Sequence, residues 1–212
     1  VVAGCLLLSA CGGGRGERSE AELSAFGTYV DSLDHSLQGK WFTRMGVSED
    51  ADSLLTFLRN QLPKDGLDTT AFFVPQIAED LTVVHKLAFD SVGQSINDVL
   101  KRLDGHLTKA YVDYTTGQRY GFFRPDKVLN RLDYKVGGTG YAQLFDYEIK
   151  APDSSEAQAK VGSDDRMSYL EASQPGTYVY RALKDLLAKT KDKAERAKIA
   201  VNMERCRWQI KH

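Results

Sequence analysis

The chain has 212 residues, of which 42% are apolar and 27% charged, so it can bury the core of one folded domain. Its 28 basic residues nearly balance its 29 acidic residues. The resulting net charge of -1 gives no field that would attract nucleic acid or an acidic bilayer, and we expect no nucleic-acid partner.

The N-terminus carries a short apolar run that ends at a cysteine. Val1 to Ala10 reads VVAGCLLLSA, which is too short to cross a bilayer as a stable helix, and Cys11 follows it. The tetrapeptide LSAC resembles the lipobox of bacterial lipoproteins, in which the signal is cut before the cysteine. We therefore predict a signal remnant at 1–11, lipidation of Cys11 and a flexible glycine-rich tether at 12–20; a chance LSAC is the alternative.

The lipobox interpretation assigns the three cysteines. Cys5 would leave with the signal and Cys11 would carry lipid, so Cys206 would remain as the single cysteine of the folded body. No intramolecular disulfide is then available to the mature domain. The lipid would anchor the protein to a membrane on the periplasmic side of a Gram-negative-type envelope. Because the sequence has no initiator methionine and no basic leader region, we also expect residues upstream of Val1.

Apolar residues at three- and four-residue spacing predict a helix at 20–39 and a second helix after Ser48. Ser48 is a suitable cap, and the acidic residues that follow it suit the positive end of a helix dipole. Pro63 and Gly66 should end this second helix.

The next predicted helix starts at Thr69 or Thr70 and tolerates Pro75 only in its first turn. A long helix follows at about 92–116. The segment TTGQRYGFFRP at 115–125 should be a turn, because its glycines permit backbone conformations that a helix would not.

A short helix is predicted at 125–132, and 134–165 has a mixed pattern that predicts no clear element. Two further helices are predicted, at about 180–187 and 194–208. Since no internal repeat is present, we predict a single, mainly α-helical domain over 21–212.

Side chains that bind metals are scattered in the sequence. No two of the four histidines are three to five residues apart, and no second cysteine lies near Cys206. The histidines are His35, His85, His106 and His212. We expect no metal site, and His106, on the long helix, is assigned a capping or surface role.

Two further patterns suggest chemistry only weakly. The run VGGTG at 136–140 lacks the Lys-Ser/Thr pair of a phosphate-binding loop and the GxGxxG of a dinucleotide loop, so we predict a flexible turn and no cofactor. Asp164 and Asp165 could act as an acid and a base only in a cleft that separates their pKa values. In a polar stretch before a helix, we interpret them as helix caps.

Cys206 lies between Arg205 and Arg207, and cationic neighbours can lower a thiol pKa. A catalytic thiol would also need an imidazole base held by a third group, which a distant histidine could supply. Helical spacing, however, places Cys206 on one face with Met203 and Ile210. We interpret Cys206 as a packing residue, with a catalytic thiol as the alternative.

Four segments resemble, in order, elements of the helical scaffold domain of the large L,D-transpeptidases of Gram-negative envelopes. They are LLTFLRNQLPKDGLDTTAF (54–72), LDGHLTKAYVDYTTGQRYGFFRPDKV (103–128), QPGTYVYRALKDLL (174–187) and IAVNMERCRW (199–208). The last looks like the family's NLERWRW signature, with Cys206 in place of its first tryptophan. The resemblance covers about 26–208, and 136–164 contains no family motif.

In that family the scaffold domain precedes a β-rich catalytic domain, whose cysteine lies in a Ser-His-Gly-Cys motif and forms 3-3 cross-links between peptidoglycan stem peptides. This sequence contains no Ser-His-Gly-Cys. The resemblance therefore implies an irregular helical scaffold portion with the catalytic domain absent, no catalytic residue in this chain, and peptidoglycan as the partner of a downstream domain. The alternative is a stand-alone envelope lipoprotein that binds peptidoglycan or a partner without catalysis.

Overall fold

The computed structural model describes residues 40–43, 46–88, 93–123, 135–136, 140–141 and 148–211, together with six helical positions between Glu20 and Asp31. Helices dominate this part of the chain, so the predicted mainly α-helical single domain is confirmed. The helical positions from Glu20 onward agree with the first predicted helix. The predicted helix at 125–132 lies outside the described residues.

Seven α-helices are described. They are α1 (Glu49–Gln61), α2 (Val74–Lys86), α3 (Ile96–Tyr120), α4 (Ser155–Lys160), α5 (Arg166–Ala172), α6 (Tyr178–Lys189) and α7 (Lys193–Arg207). Two 3-10 turns, Leu62–Asp65 and Thr69–Phe72, lie between α1 and α2.

Three two-stranded antiparallel sheets accompany these helices. Their strands are β1 (Phe42–Thr43) with β2 (Gly46–Val47), β3 (Lys135–Val136) with β4 (Gly140–Tyr141), and β5 (Glu148–Ile149) with β6 (Ile210–Lys211). In the second sheet Val136 pairs with Gly140, and the predicted turn between them, at 137–139, lies outside the described residues. The third sheet joins residues near the C-terminus to the mixed region.

Helix α1 begins and ends where the sequence predicts. Ser48 is its cap residue with an extended backbone, although its side chain makes no cap hydrogen bond. The helix passes into the 3-10 turn Leu62–Asp65, which has Pro63 at its start. Gly66 then adopts a left-handed φ of 72°, a conformation that glycine accepts without steric cost.

The predicted start of the next helix, at Thr69 or Thr70, is wrong, because α2 begins only at Val74. A 3-10 turn comes first, in which the Asp68 carboxylate accepts a hydrogen bond from the Thr70 amide. Phe73, with a left-handed φ of 56°, then separates the turn from the helix. This restart places Pro75 in the first turn of α2, where its missing N–H costs no helical hydrogen bond.

Helix α3 starts later and ends later than predicted. Its cap is Ser95, whose hydroxyl accepts a hydrogen bond from the Asp98 amide at 3.2 Å. The predicted turn at Gly117 is wrong, since Gly117 lies inside the helix, where a Cβ atom would overlap the ring of Phe122. Gly121 ends the helix with a φ of 93°, as its predicted role as a turn residue requires.

The last two predicted helices are confirmed. Thr177 caps α6 and Asp192 caps α7, each accepting a hydrogen bond from an amide three residues ahead. Helix α7 ends at Arg207, so the placement of Ile210 on its face is wrong: Ile210 lies in strand β6.

The predicted cap before α5 is confirmed only in position. Asp165 is the cap residue, but its carboxylate accepts hydrogen bonds from the side chains of Lys160 and Ser163 and none from a helix amide. Asp164 precedes the cap and is exposed.

The core is divided into two clusters. The large cluster surrounds α3 and combines apolar side chains of α1, α2, α3 and α5 with the fully buried Trp41. A small cluster lies between α6 and α7 and consists of Tyr180, Leu187, Ile199 and Met203. The α6–α7 hairpin therefore has an apolar centre of its own.

Candidate functional site

The polar centre of the molecule is the carboxylate of Asp65, which is fully buried at the end of the first 3-10 turn. It accepts from five side-chain donors, namely Gln61 Nε2 (2.9 Å), Tyr114 Oη (2.8 Å), Gln118 Nε2 (2.9 Å), Tyr180 Oη (3.0 Å) and Lys184 Nζ (3.2 Å). These donors belong to α1, α3 and α6. A buried carboxylate is stable only with such partners, and Asp65 has them on both oxygens.

Arg207, at the end of α7, joins this network. Its Nη2 donates to the main-chain carbonyl oxygen of Asp65 (2.8 Å) and to Tyr180 Oη (3.0 Å). Its Nε donates to Gln118 Oε1 (3.0 Å), and its Nη1 lies 3.2 Å from Glu204 Oε2. All of the guanidinium nitrogens are thus engaged, in a side chain that is 2% exposed.

Glu204 extends the network to the end of α3. Its Oε1 accepts hydrogen bonds from the main-chain amides of Phe122 (2.6 Å) and Phe123 (2.8 Å). These amides follow Gly121, which lies so close to Trp208 and Glu204 that a Cβ atom would collide with both. The Asp65 network, defined as Asp65 with its five donors, Glu204 and Arg207, therefore connects α1, α3, α6 and α7.

The electrostatics of the network indicate a structural role. Burial, reinforced by the charge of Asp65, raises the pKa of Tyr114 far above its usual value. Burial also raises the pKa of Tyr180, with the Arg207 guanidinium acting in the opposite direction. Both phenols are therefore neutral donors at neutral pH, and neither can serve there as a general base. The two buried carboxylates are offset by Arg207 and Lys184, which reduces the cost of burying charge.

Members of the network lie in all four segments that resemble the L,D-transpeptidase scaffold. Asp65, Tyr114, Tyr180 and the Glu204–Arg207 pair each come from a different one of those segments. No local sequence pattern marks Asp65, Tyr114 or Glu204 as a buried polar group. One signal could have found Arg207, because it follows Ile199 and Met203 at four-residue spacing and thus falls on the buried face of α7.

Cys206 packs against the small cluster between α6 and α7, which confirms its packing role. It is half-buried and not fully buried. Burial raises its thiol pKa, and the opposing effect of Arg207 is smaller. The adjacent guanidinium makes its hydrogen bonds within the Asp65 network and is not directed at the thiol.

The structure places two of the four histidines. His106 is partly exposed and stacks on Phe73 with ring centroids 4.7 Å apart; it lies inside α3, so the predicted capping role is wrong. Burial lowers the pKa of His106. His85 Nε2 lies 2.9 Å from Asp52 Oδ1 and links α2 to α1. His35 and His212 lie outside the described residues.

Two other predicted features are only partly covered by the structure. Within the described ranges, no three metal-binding side chains come together. No helix among these residues combines the length and the apolar character needed to span a membrane. Cys11, the signal remnant and the predicted tether at 12–19 lie outside the described part of the chain.

The described residues form a helical body whose elements are joined by a buried polar network. In a comparison with protein families, a family model described as a scaffold domain matches residues 34–187. The match covers well over half of the chain, and the protein belongs to this scaffold-domain family. Neither a curated protein nor a solved structure gave a match.

Proposed function

We propose that this chain is the scaffold portion of a peptidoglycan L,D-transpeptidase, whose cysteine nucleophile lies in a domain outside these 212 residues. Membership of the scaffold-domain family supports the coarser part of this proposal. The finer part is carried by one observation: the four segments that resemble the transpeptidase scaffold all supply side chains to the Asp65 network. The resemblance therefore falls on the residues that hold the fold together.

The physical role of the scaffold would be orientation. Arg207 and Glu204 fix the end of α7 to α3 and to the Asp65 turn. Strand β6 then pairs with β5, which fixes the backbone up to Lys211. A catalytic domain joined after this strand would begin from a rigid point, and its approach to the stem peptides of peptidoglycan would be set by the helical body.

The lipid anchor is a separate part of the proposal. The LSAC tetrapeptide supports lipidation of Cys11 and a position on the periplasmic side of the membrane. The glycine-rich stretch after Cys11 would act as a flexible tether between the lipid and the scaffold.

The proposal is tested by the complete reading frame that contains this chain. We expect an in-frame Ser-His-Gly-Cys after His212, and we expect the purified product to form 3-3 cross-linked dimers from peptidoglycan tetrapeptides, detected by mass spectrometry. Replacing the cysteine of that motif by alanine should abolish the dimers. A frame without the motif would contradict the enzymatic proposal; co-sedimentation of its product with purified sacculi would then favour the stand-alone lipoprotein.

A further inference from the structure

A pocket of about 390 Å³ lies beside α3, apart from the Asp65 network. Lys40, Asp104, Gly105, Thr108, Lys109 and Gln158 are among the residues that line it. Its wall combines charged and hydroxyl groups with the apolar side chains of Val112 and Val161. Most of its lining residues are polar or charged, and a concave site of this size can hold a small polar molecule.

The carboxylate of Asp104 is the unusual group in this pocket. Asp104 is only 9% exposed, and its Oδ1 is covered yet has no hydrogen-bond partner in the structure. Buried carboxylates are ordinarily paired, as Asp65 is with its five donors. Burial raises the pKa of Asp104, and the positive charge of Lys40 only partly opposes this effect. The pocket thus holds a carboxylate that would gain from a positively charged donor.

Other groups in the pocket have complementary chemistry. The Thr108 oxygen accepts a hydrogen bond from Trp41 Nε1 at 2.9 Å, which leaves the hydroxyl proton available for donation. Lys109 is paired with Asp113 at 2.8 Å on the exposed side of α3. Lys40 makes no salt bridge with any described residue, so its ammonium can receive an anionic group. The pocket therefore offers one anionic and one cationic anchor within the same volume.

We propose that this pocket binds a small zwitterion of the amino-acid or short-peptide class, with the ligand's ammonium group at the Asp104 carboxylate and its carboxylate at Lys40. The ammonium would offset the charge of the Asp104 carboxylate, which lines the pocket. A metal ion is a poorer fit, because no three metal-binding side chains of the described residues come together. The assignment does not depend on the proposed transpeptidase function.

The proposal is tested by calorimetric titration of the full chain with L-alanyl-L-alanine. A ligand concentration of up to about 10 mM detects dissociation constants in the millimolar range, and we expect the dipeptide to bind. N-acetyl-L-alanyl-L-alanine has no ammonium group and should bind at least about tenfold more weakly. Asp104→Asn should weaken dipeptide binding by a similar factor. Asp185→Asn, which removes the same charge from the exposed face of α6, should leave binding unchanged.

A second variant separates binding from folding. A Cβ atom at Gly105 would meet nothing within 4 Å, so Gly105→Met should fill the pocket without disturbing α3. We expect this variant to retain its helical circular dichroism and to lose dipeptide binding. The proposal is overturned if the dipeptide does not bind, if the acetylated dipeptide binds equally well, or if folded Asp104→Asn or Gly105→Met binds like the wild type.

Discussion

Arg207 donates a hydrogen bond to the main-chain carbonyl oxygen of Asp65, 142 positions earlier in the sequence, over 2.8 Å. This contact fixes the end of α7 to the 3-10 turn that follows α1. Because the same guanidinium also holds Gln118 and Tyr180, the contact cannot break without disturbing α3 and α6. The packing of these helices is therefore stabilised by polar interactions as well as by the two apolar clusters.

Asp65→Ala should be among the most destabilising substitutions in this chain. It removes the carboxylate that five donors share and the charge that balances Lys184, whereas Arg207 keeps its pair with Glu204. Loss of one partner from a buried ionic cluster costs about 3–5 kcal/mol, so we expect that decrease in the free energy of unfolding, measured in urea. Asp164→Ala, at an exposed site, should change it by less than about 0.5 kcal/mol. Equal effects of the two substitutions would contradict the central role of Asp65.

Two glycines of α3 should respond to alanine with opposite signs. At Gly117 the new methyl group would overlap the Phe122 ring, and overpacking of this kind costs about 1–3 kcal/mol. At Gly105 the methyl group meets open space, and the gain in helix propensity should stabilise the fold by about 0.5–1 kcal/mol. Urea denaturation of the two alanine variants and of the wild type measures both changes in the free energy of unfolding. A stable Gly117→Ala variant would show that Phe122 is free to move.

The chain should lose stability at alkaline pH because of its buried phenols. Burial raises the pKa of Tyr114 and of Tyr180 in the folded state. The unfolded state, with an ordinary tyrosine pKa of about 10, therefore binds fewer protons above that pH, and stability falls as pH rises through this region. Urea denaturation between about pH 9 and pH 11 should show this fall, with a smaller slope for Tyr114→Phe. Tyr178→Phe, at a ring that is 78% exposed, should keep the wild-type slope.

Local signals account for the part of the fold that the sequence predicts correctly. Ser48 and Gly66 mark the limits of α1 and its 3-10 turn because caps and left-handed turns depend on neighbouring residues alone. Gly117 was assigned wrongly for the opposite reason. Because Gly117 has no Cβ atom, the Phe122 ring can pack against the helix there, and local spacing does not encode this tertiary contact.

The Asp65 network was not predictable in the same way. Its hydrogen bonds join residues up to 142 positions apart, and a charged residue in such a segment looks like part of a solvated surface. Only the position of Arg207, in phase with Ile199 and Met203, indicated a buried charge. The pocket at Asp104 likewise depends on Lys40 and Gln158, which no helical periodicity places beside α3.

Cys206 should react slowly with thiol reagents while the domain is folded. Burial raises its thiol pKa, so little thiolate forms at neutral pH, and the neighbouring cluster restricts access. Peptide-resolved mass spectrometry after iodoacetamide treatment at pH 7 should show at least about tenfold slower labelling than in urea. Rapid labelling in the native protein would instead support the catalytic-thiol alternative. The Cys5→Ser, Cys11→Ser background serves as a control for the other two thiols.

Cys11 should carry lipid when the complete reading frame is expressed in a bacterial host. The LSAC tetrapeptide supplies a thiol directly after two small residues, the pattern that lipoprotein processing uses. Metabolic labelling with an alkyne fatty acid should mark the wild-type protein and the Cys5→Ser variant, because the signal that contains Cys5 is removed. Cys11→Ser should be unlabelled and should leave the membrane fraction. Label retained in Cys11→Ser, or absent from the wild type, would contradict the lipid anchor and with it the proposed attachment of the scaffold to the membrane.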